Sequence, residues 1–133
     1  MSYETHKEIV RKHYRALSSG DLKLFRSLIT DDYVVIVTGQ SKVAATMNQD
    51  QIVEFVEAAT TTTRGGFTFQ ILSMTAEDDR VASEADGRAT LKNGAEFVNH
   101  YVHLFRFRDG KICEVKEFSD TAIAERAFFD IEL

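Results

Sequence analysis

The chain has 133 residues, 44% of them hydrophobic and 28% charged, with a formal net charge of −5 and one cysteine, Cys113. Those values fit one globular domain with a real core. The acidic balance and the lack of a basic run disfavour a nucleic-acid partner, no apolar run approaches membrane-spanning length, and a lone cysteine excludes an intrachain disulfide.

Residues 3–19 predict a helix, because Val10, Tyr14 and Leu17 recur at helical spacing with Tyr3 and Ile9 beside the stripe. Thr5 and Glu8 offer a capping box if the helix begins there, and Gly20 stops it. Asp21 caps a second short helix whose buried side is Leu22, Phe25, Leu28 and Ile29. Asp31-Asp32 breaks it, and the β-branched run Tyr33–Thr38 reads as a strand. Gly39–Met47 reads as a loop. Asn48 and Gln51 offer a capping box for a third helix, 49–61, with Ile52, Val53, Phe55, Val56 and Ala59 on its apolar side. Gly65-Gly66 closes it.

From there the apolar period changes to two. Phe67–Thr75 predicts a strand, Glu77–Arg80 a turn and Val81–Leu91 another strand, and Asn93-Gly94 leads into a long hairpin. Its first arm, Glu96–Arg108, puts Phe97, Asn99, Tyr101, His103, Phe105 and Phe107 on one face. Val98, His100, Val102, Leu104 and Arg106 take the other. Asp109-Gly110 is a turn signal, and Lys111–Ser119 is the second arm. Asp120 caps a last helix, 120–129, with Ile123, Ala124, Ala127 and Phe128 expected inside.

Helices followed by strands give an α+β fold: a curved, mostly antiparallel sheet closing as a cone over the N-terminal helices around a pocket, in one domain covering 1–133. Hairpin register decides which side chains meet. A two-residue loop sets Arg108 against Lys111, a like-charge pair. A three-residue loop with Gly110 left-handed sets Phe107 against Lys111, His103 against Val115 and Tyr101 against Glu117, and is the expected register. Slipping by one residue sends Glu117 to the other face.

This order resembles the nuclear transport factor 2-like superfamily, in its SnoaL-like and ketosteroid-isomerase-like branch. The resemblance spans nearly the whole chain and rests on ALSSGDLKLFRSLITDDYVV at 16–35, HLFRFRDGKI at 103–112 and EVKEFSD at 114–120. It implies the cone fold but not one activity, since this fold hosts enzymes, carriers and assembly domains. Ketosteroid isomerases carry an Asp base near the end of the first strand, where this chain has Val37. Their oxyanion tyrosine on the first helix corresponds to His13, with Tyr14 one position off, and their protonated Asp to His103. All three positions depart from the isomerase pattern. The Asp-Arg-Asp of limonene-epoxide-hydrolase-like members corresponds to Glu84, Asp86 and Glu117, with Val35 and Val37 where water is held; the arginine and both water holders are missing. SnoaL-like polyketide cyclases take an acid/base carboxylate from the last strand, and Glu117 can supply it.

Glu84, Asp86 and Arg88 share one face of their strand, which the resemblance points inward, beside Asn99, Tyr101, His103 and Glu117. A carboxylate in an apolar cavity suits proton transfer, and imidazole or phenol donors suit a developing enolate. The expected catalytic set is Glu117 as acid/base, His103 and Tyr101 polarising oxygen, and Asp86. The expected ligand-binding set adds His13, Tyr14, Tyr33, Val35, Val37 and Phe55, together with Glu84, Arg88, Asn99, Phe105 and Val115. Plainer readings stand beside these. Glu84, Asp86 and Arg88 also suit a solvated strand face, Tyr101 a satisfied core aromatic and His103 a structural hydrogen bond. His6 and His100 read as surface or interface residues, and Cys113 as packing rather than nucleophile. No metal and no cofactor are expected.

The expected function is a small-molecule pocket, as an isomerase, cyclase or hydrolase acting on an apolar carbonyl compound. The alternative is a non-enzymatic binding or assembly domain with a vestigial pocket. A homodimer through the outer sheet face is expected, since Val98, Val102, Leu104 and Phe118 need cover. The segment MSYETHKEIV lacks a signal-peptide core and the cysteine fits a reducing compartment, so the expected location is cytoplasmic.

Overall fold

Side-chain caps set the helix starts. The computed structural model describes residues 2–129. Ser2, not a Thr5–Glu8 box, caps α1 (Tyr3–Ser19): its hydroxyl accepts from the Thr5 N–H at 3.1 Å, which keeps the first turn helical. Gly20 ends α1 in the left-handed region at φ 74°, and its N–H returns to the Ala16 carbonyl. Asp21 accepts from the Leu24 N–H to start α2 (Leu22–Ser27). The Asn48–Gln51 box is reciprocal at 3.0 and 2.9 Å and opens α3 (Gln49–Thr62). Asp120 accepts from Ala122 and Ile123 to open α4 (Thr121–Phe128). No described helix is long and apolar enough to cross a membrane.

The strands are β1 (Ile29–Val37), β2 (Ala45–Asn48), β3 (Thr68–Glu77), β4 (Arg80–Thr90), β5 (Glu96–Arg108) and β6 (Lys111–Ser119). They form one curved, open six-stranded sheet in the order β2-β1-β6-β5-β4-β3, antiparallel except where β1 meets β6. Two elements differ from the sequence reading. Strand β1 starts at Ile29, and Asp31-Asp32 lies inside it: a register irregularity between Ile29 and Val34 lets both carboxylates turn to solvent. Strand β2 falls in the stretch read as loop; it is a short edge strand on β1 whose mostly exposed side chains show no alternation.

The hairpin register also differs. Asp109 and Gly110 sit at φ 51° and 79°, which makes a tight two-residue turn and sets Arg108 opposite Lys111. The like charges are relieved because the Arg108 guanidinium bonds the Asp32 carboxylate instead. Counted straight from that turn, Lys116 would face His103. Cys113 is left unpaired as a bulge, the ladder steps by one, and His103 faces Glu117, Phe105 faces Val115 and Tyr101 faces Ser119.

Alternation then sorts the side chains. Phe97, Asn99, Tyr101, His103, Phe105 and Phe107 are all buried on the inner face, against α1, Phe25 and Ile52. On β4 the parity is opposite to expectation. Val81, Ser83, Ala85 and Ala89 are the buried set, while Glu84, Asp86 and Arg88 pair with Val102, His100 and Val98 on the outer face. Alternation says that the three charges share a face but not which one; the rings of α1 and β5 fill the inner side and leave room only for small residues there. His6, read as a surface or interface residue, is buried and stacks on Phe107 with ring centroids 4.1 Å apart. None of the α4 side chains is fully buried, because the helix lies across the rim of the cone rather than inside it.

Candidate ligand pocket

A cavity of about 780 Å3 lies between the inner sheet face and helices α1, α3 and α4. Its floor is polar. Register places His103 and Glu117 side by side, with Nε2 and Oε1 2.9 Å apart. The other imidazole nitrogen, Nδ1, meets the Tyr14 hydroxyl at 2.7 Å. Helix α1 supplies two neighbours from consecutive positions, about 100° apart around its axis. Tyr14 turns to β5, while His13 turns to β1 and meets the Tyr33 hydroxyl at 2.9 Å through Nε2. The walls are apolar: Val35, Val37, Phe105 and Val115 from the sheet, and Phe55 from α3 at the mouth, half exposed.

Burial sets the protonation of the phenols and of His13. Burial, with His103 nearby, pushes His13 down to about 3, so it is neutral. Burial, with the charge of Glu117 adding to it, raises Tyr14, Tyr33 and Tyr101 above their ordinary range, so all three keep their protons. Two states of the chain Tyr14–His103–Glu117 follow from donor counting. With a neutral imidazole, Nε2–H donates to the carboxylate and Nδ1 accepts from Tyr14. With an imidazolium, Nδ1–H donates to the Tyr14 oxygen and frees the phenolic proton. The second oxygen of Glu117 carries no hydrogen bond from another described side chain, the Tyr101 hydroxyl lies beside the Asn99 side chain, and Glu117 and Tyr101 both line the cavity.

Tyr101, His103 and Glu117 are therefore brought together, and His13, Tyr14, Tyr33, Val35, Val37, Phe55, Phe105 and Val115 also line the cavity. Four expected residues do not. Asn99 is buried on the inner face, but its amide donates to the Asp120 carbonyl at 3.0 Å and its Oδ1 accepts from the His100 N–H, which ties β5 to the start of α4. Glu84, Asp86 and Arg88 lie on the opposite side of the sheet. There, His100 bridges Asp86 at 2.6 Å and Glu84 at 2.9 Å, and the bonds to Asp86 and then Glu84 raise its pKa. Asp86 has no access to a substrate in this pocket. His103 was expected to donate to a substrate oxygen; both its nitrogens are instead engaged by protein groups.

Phe69, Phe97 and Leu17 also face the cavity, and periodicity could have found them. Lys42 and Val43, in an irregular loop, had no such signal. Cys113 is the partly buried bulge residue, and burial raises its thiol pKa. The described residues hold no cluster of histidine, cysteine and carboxylate groups arranged for a metal.

Residues 10–115 match the family model of the SnoaL-like domain. The chain belongs to the SnoaL-like family. The fold of this SnoaL-like domain is also that of several solved structures. A nuclear transport factor 2-like protein of unknown function from Burkholderia pseudomallei superposes with a TM-score of 0.80 at 21% identity, over 96% of this chain and 98% of that one. IdmH of Streptomyces antibioticus, a candidate polyketide cyclase, gives 0.74 at 20% identity, over 92% and 97%. TerC co-crystallized with polyporic acid gives 0.78 at 20% identity, over 92% and 97%. No curated protein matches the sequence. Within this SnoaL-like domain, Val37 near the end of β1 lines the cavity with an aliphatic wall.

Proposed function

We propose that this SnoaL-like domain binds a small apolar carbonyl compound and moves a proton on it, as an isomerase or cyclase. The supporting observation is the Tyr14–His103–Glu117 chain on the floor of an otherwise largely apolar cavity. The free oxygen of Glu117 takes a proton from the carbon next to the carbonyl. Negative charge then develops on the substrate oxygen, and the Tyr101 hydroxyl donates to it. His103 holds the carboxylate in place through Nε2–H, while its Nδ1 accepts from the Tyr14 hydroxyl. Glu117 returns the proton at another position, or the enolate carbon attacks a second carbonyl of the same molecule and the alkoxide so formed takes the proton from Glu117. TerC, with polyporic acid bound, supports an unsaturated oxygenated ring system as the ligand class. A reducing compartment, the cytoplasm, fits the single cysteine.

The second reading is a binding domain without turnover, favoured by the aliphatic Val37. One experiment separates the two. A panel of bicyclic ketones and hydroxyquinones is incubated with the protein in deuterated water, and exchange beside the carbonyl is followed by NMR. Exchange that is present in the wild type and lost in Glu117→Gln supports proton transfer; binding without exchange supports the second reading.

We also infer a homodimer through the outer face. Val98, Val102 and Phe118 are 39%, 41% and 45% exposed there, side by side on β5 and β6.

A further inference from the structure

The inner face of β4 has one position with no side chain, Gly87, between Ala85 and Ala89. It sits opposite Asn99 of β5 and Phe69 of β3. A Cβ placed on Gly87 would stand 2.5 Å from Cε2 and 3.3 Å from Cδ2 of Tyr101, and 3.0 Å from Cε1 of Phe69. Contacts of 2.5 Å do not occur between carbon atoms in proteins, so the Tyr101 ring occupies the space that any other residue would fill. The ring reaches there from two positions along β5, the diagonal neighbour across the strand pair. A glycine inside a strand weakens it by its backbone entropy, so its presence calls for a close approach of this kind.

What the ring does in that notch bears on the polar floor. Tyr101 stacks on His103, with centroids 5.2 Å apart and planes 11° from parallel. Phe69 closes on Tyr101 edge-on at 5.7 Å and on His103 at 6.1 Å. The imidazole is thus fixed by its flanking rings, and one rotation of it serves both Tyr14 at Nδ1 and Glu117 at Nε2. We infer that Gly87 is a positioning residue: its missing side chain lets Tyr101 lie flat into the sheet and hold the His103 ring in line between Tyr14 and Glu117. Its importance for turnover rests on the proton-transfer reading above. Its geometric effect does not, and the test needs no substrate.

The imidazole 15N and N–H proton resonances of His103 are read in the wild type, Gly87→Ala, Tyr101→Leu and the double variant. In Gly87→Ala the methyl group lifts the Tyr101 ring, and the His103 signals shift or are lost to exchange. In the Tyr101→Leu background the same glycine substitution leaves the His103 signals where Tyr101→Leu alone put them. Unchanged signals in Gly87→Ala, or an equal shift in both backgrounds, overturn the inference. If Gly87→Ala does not fold, the double variant is expected to fold, because the obstructing ring is gone and the Phe69 edge can yield the few tenths of an ångström required. Failure of both also overturns it.

Discussion

His103 of β5 and Glu117 of β6 face each other across the hairpin, imidazole Nε2 2.9 Å from carboxylate Oε1. They meet only because Cys113 bulges out of the ladder between them and the turn. The tight turn and the bulge each move the register by one residue in the same direction, so from Glu114 on the pairing lies two residues from that of a three-residue loop and every side chain keeps its face. A bulge residue makes no ladder pair of its own.

Deleting Cys113 is therefore expected to leave Arg106 against Glu114 and His103 against Glu117. The cost should be about 1–3 kcal/mol, the ordinary scale of a single change. Urea melts measure the stability, and the His103 imidazole resonances report the pairing. Loss of those resonances in a folded deletion variant would show that the bulge sets the register rather than absorbs a surplus residue.

The pH dependence of stability has a definite sign at His13. Its folded pKa is pushed down to about 3 by burial, against about 6.5 in an unfolded chain. Below about 6.5 the unfolded state binds a proton that the folded state refuses. Stability is thus complete above that pH and falls by about 1.4 kcal/mol per unit between it and the folded pKa. His6, also lowered by burial, acts in the same direction. His100 has a raised pKa, acts oppositely, and loses its contribution as pH rises through its folded value. Unfolding free energies at pH 7 and pH 5 should differ by about 2 kcal/mol from His13 alone. The difference should shrink by that amount in His13→Gln, which can still bond Tyr33. An unchanged difference would place the titration elsewhere.

On the outer face, Val102→Lys puts a charge in the middle of the exposed apolar patch formed with Val98 and Phe118. Sedimentation of the wild type at micromolar concentration is expected to give a dimer, and the variant a monomer with the same circular dichroism. A monomeric wild type removes the proposed interface.

The caps of α2, α3 and α4, the strands from β3 to β6 and the two faces of β5 were legible from local chemistry. Capping acts over three residues, and side-chain parity runs on unbroken within a strand, so Asp21, Asn48 and Asp120 and the row from Phe97 to Phe107 needed no partner to be read. Family membership was legible too, from three short stretches in order. What the tertiary structure alone decided was which way each face pointed and which residues met. Glu84, Asp86 and Arg88 were correctly grouped and wrongly aimed, because parity is relative and the rings packed behind a strand choose its sign. The Tyr14–His103–Glu117 chain joins a helix to two strands, with Tyr14 and His103 89 positions apart in the chain. No local pattern reports a contact of that span, and its last link forms only because Cys113 stays out of the ladder.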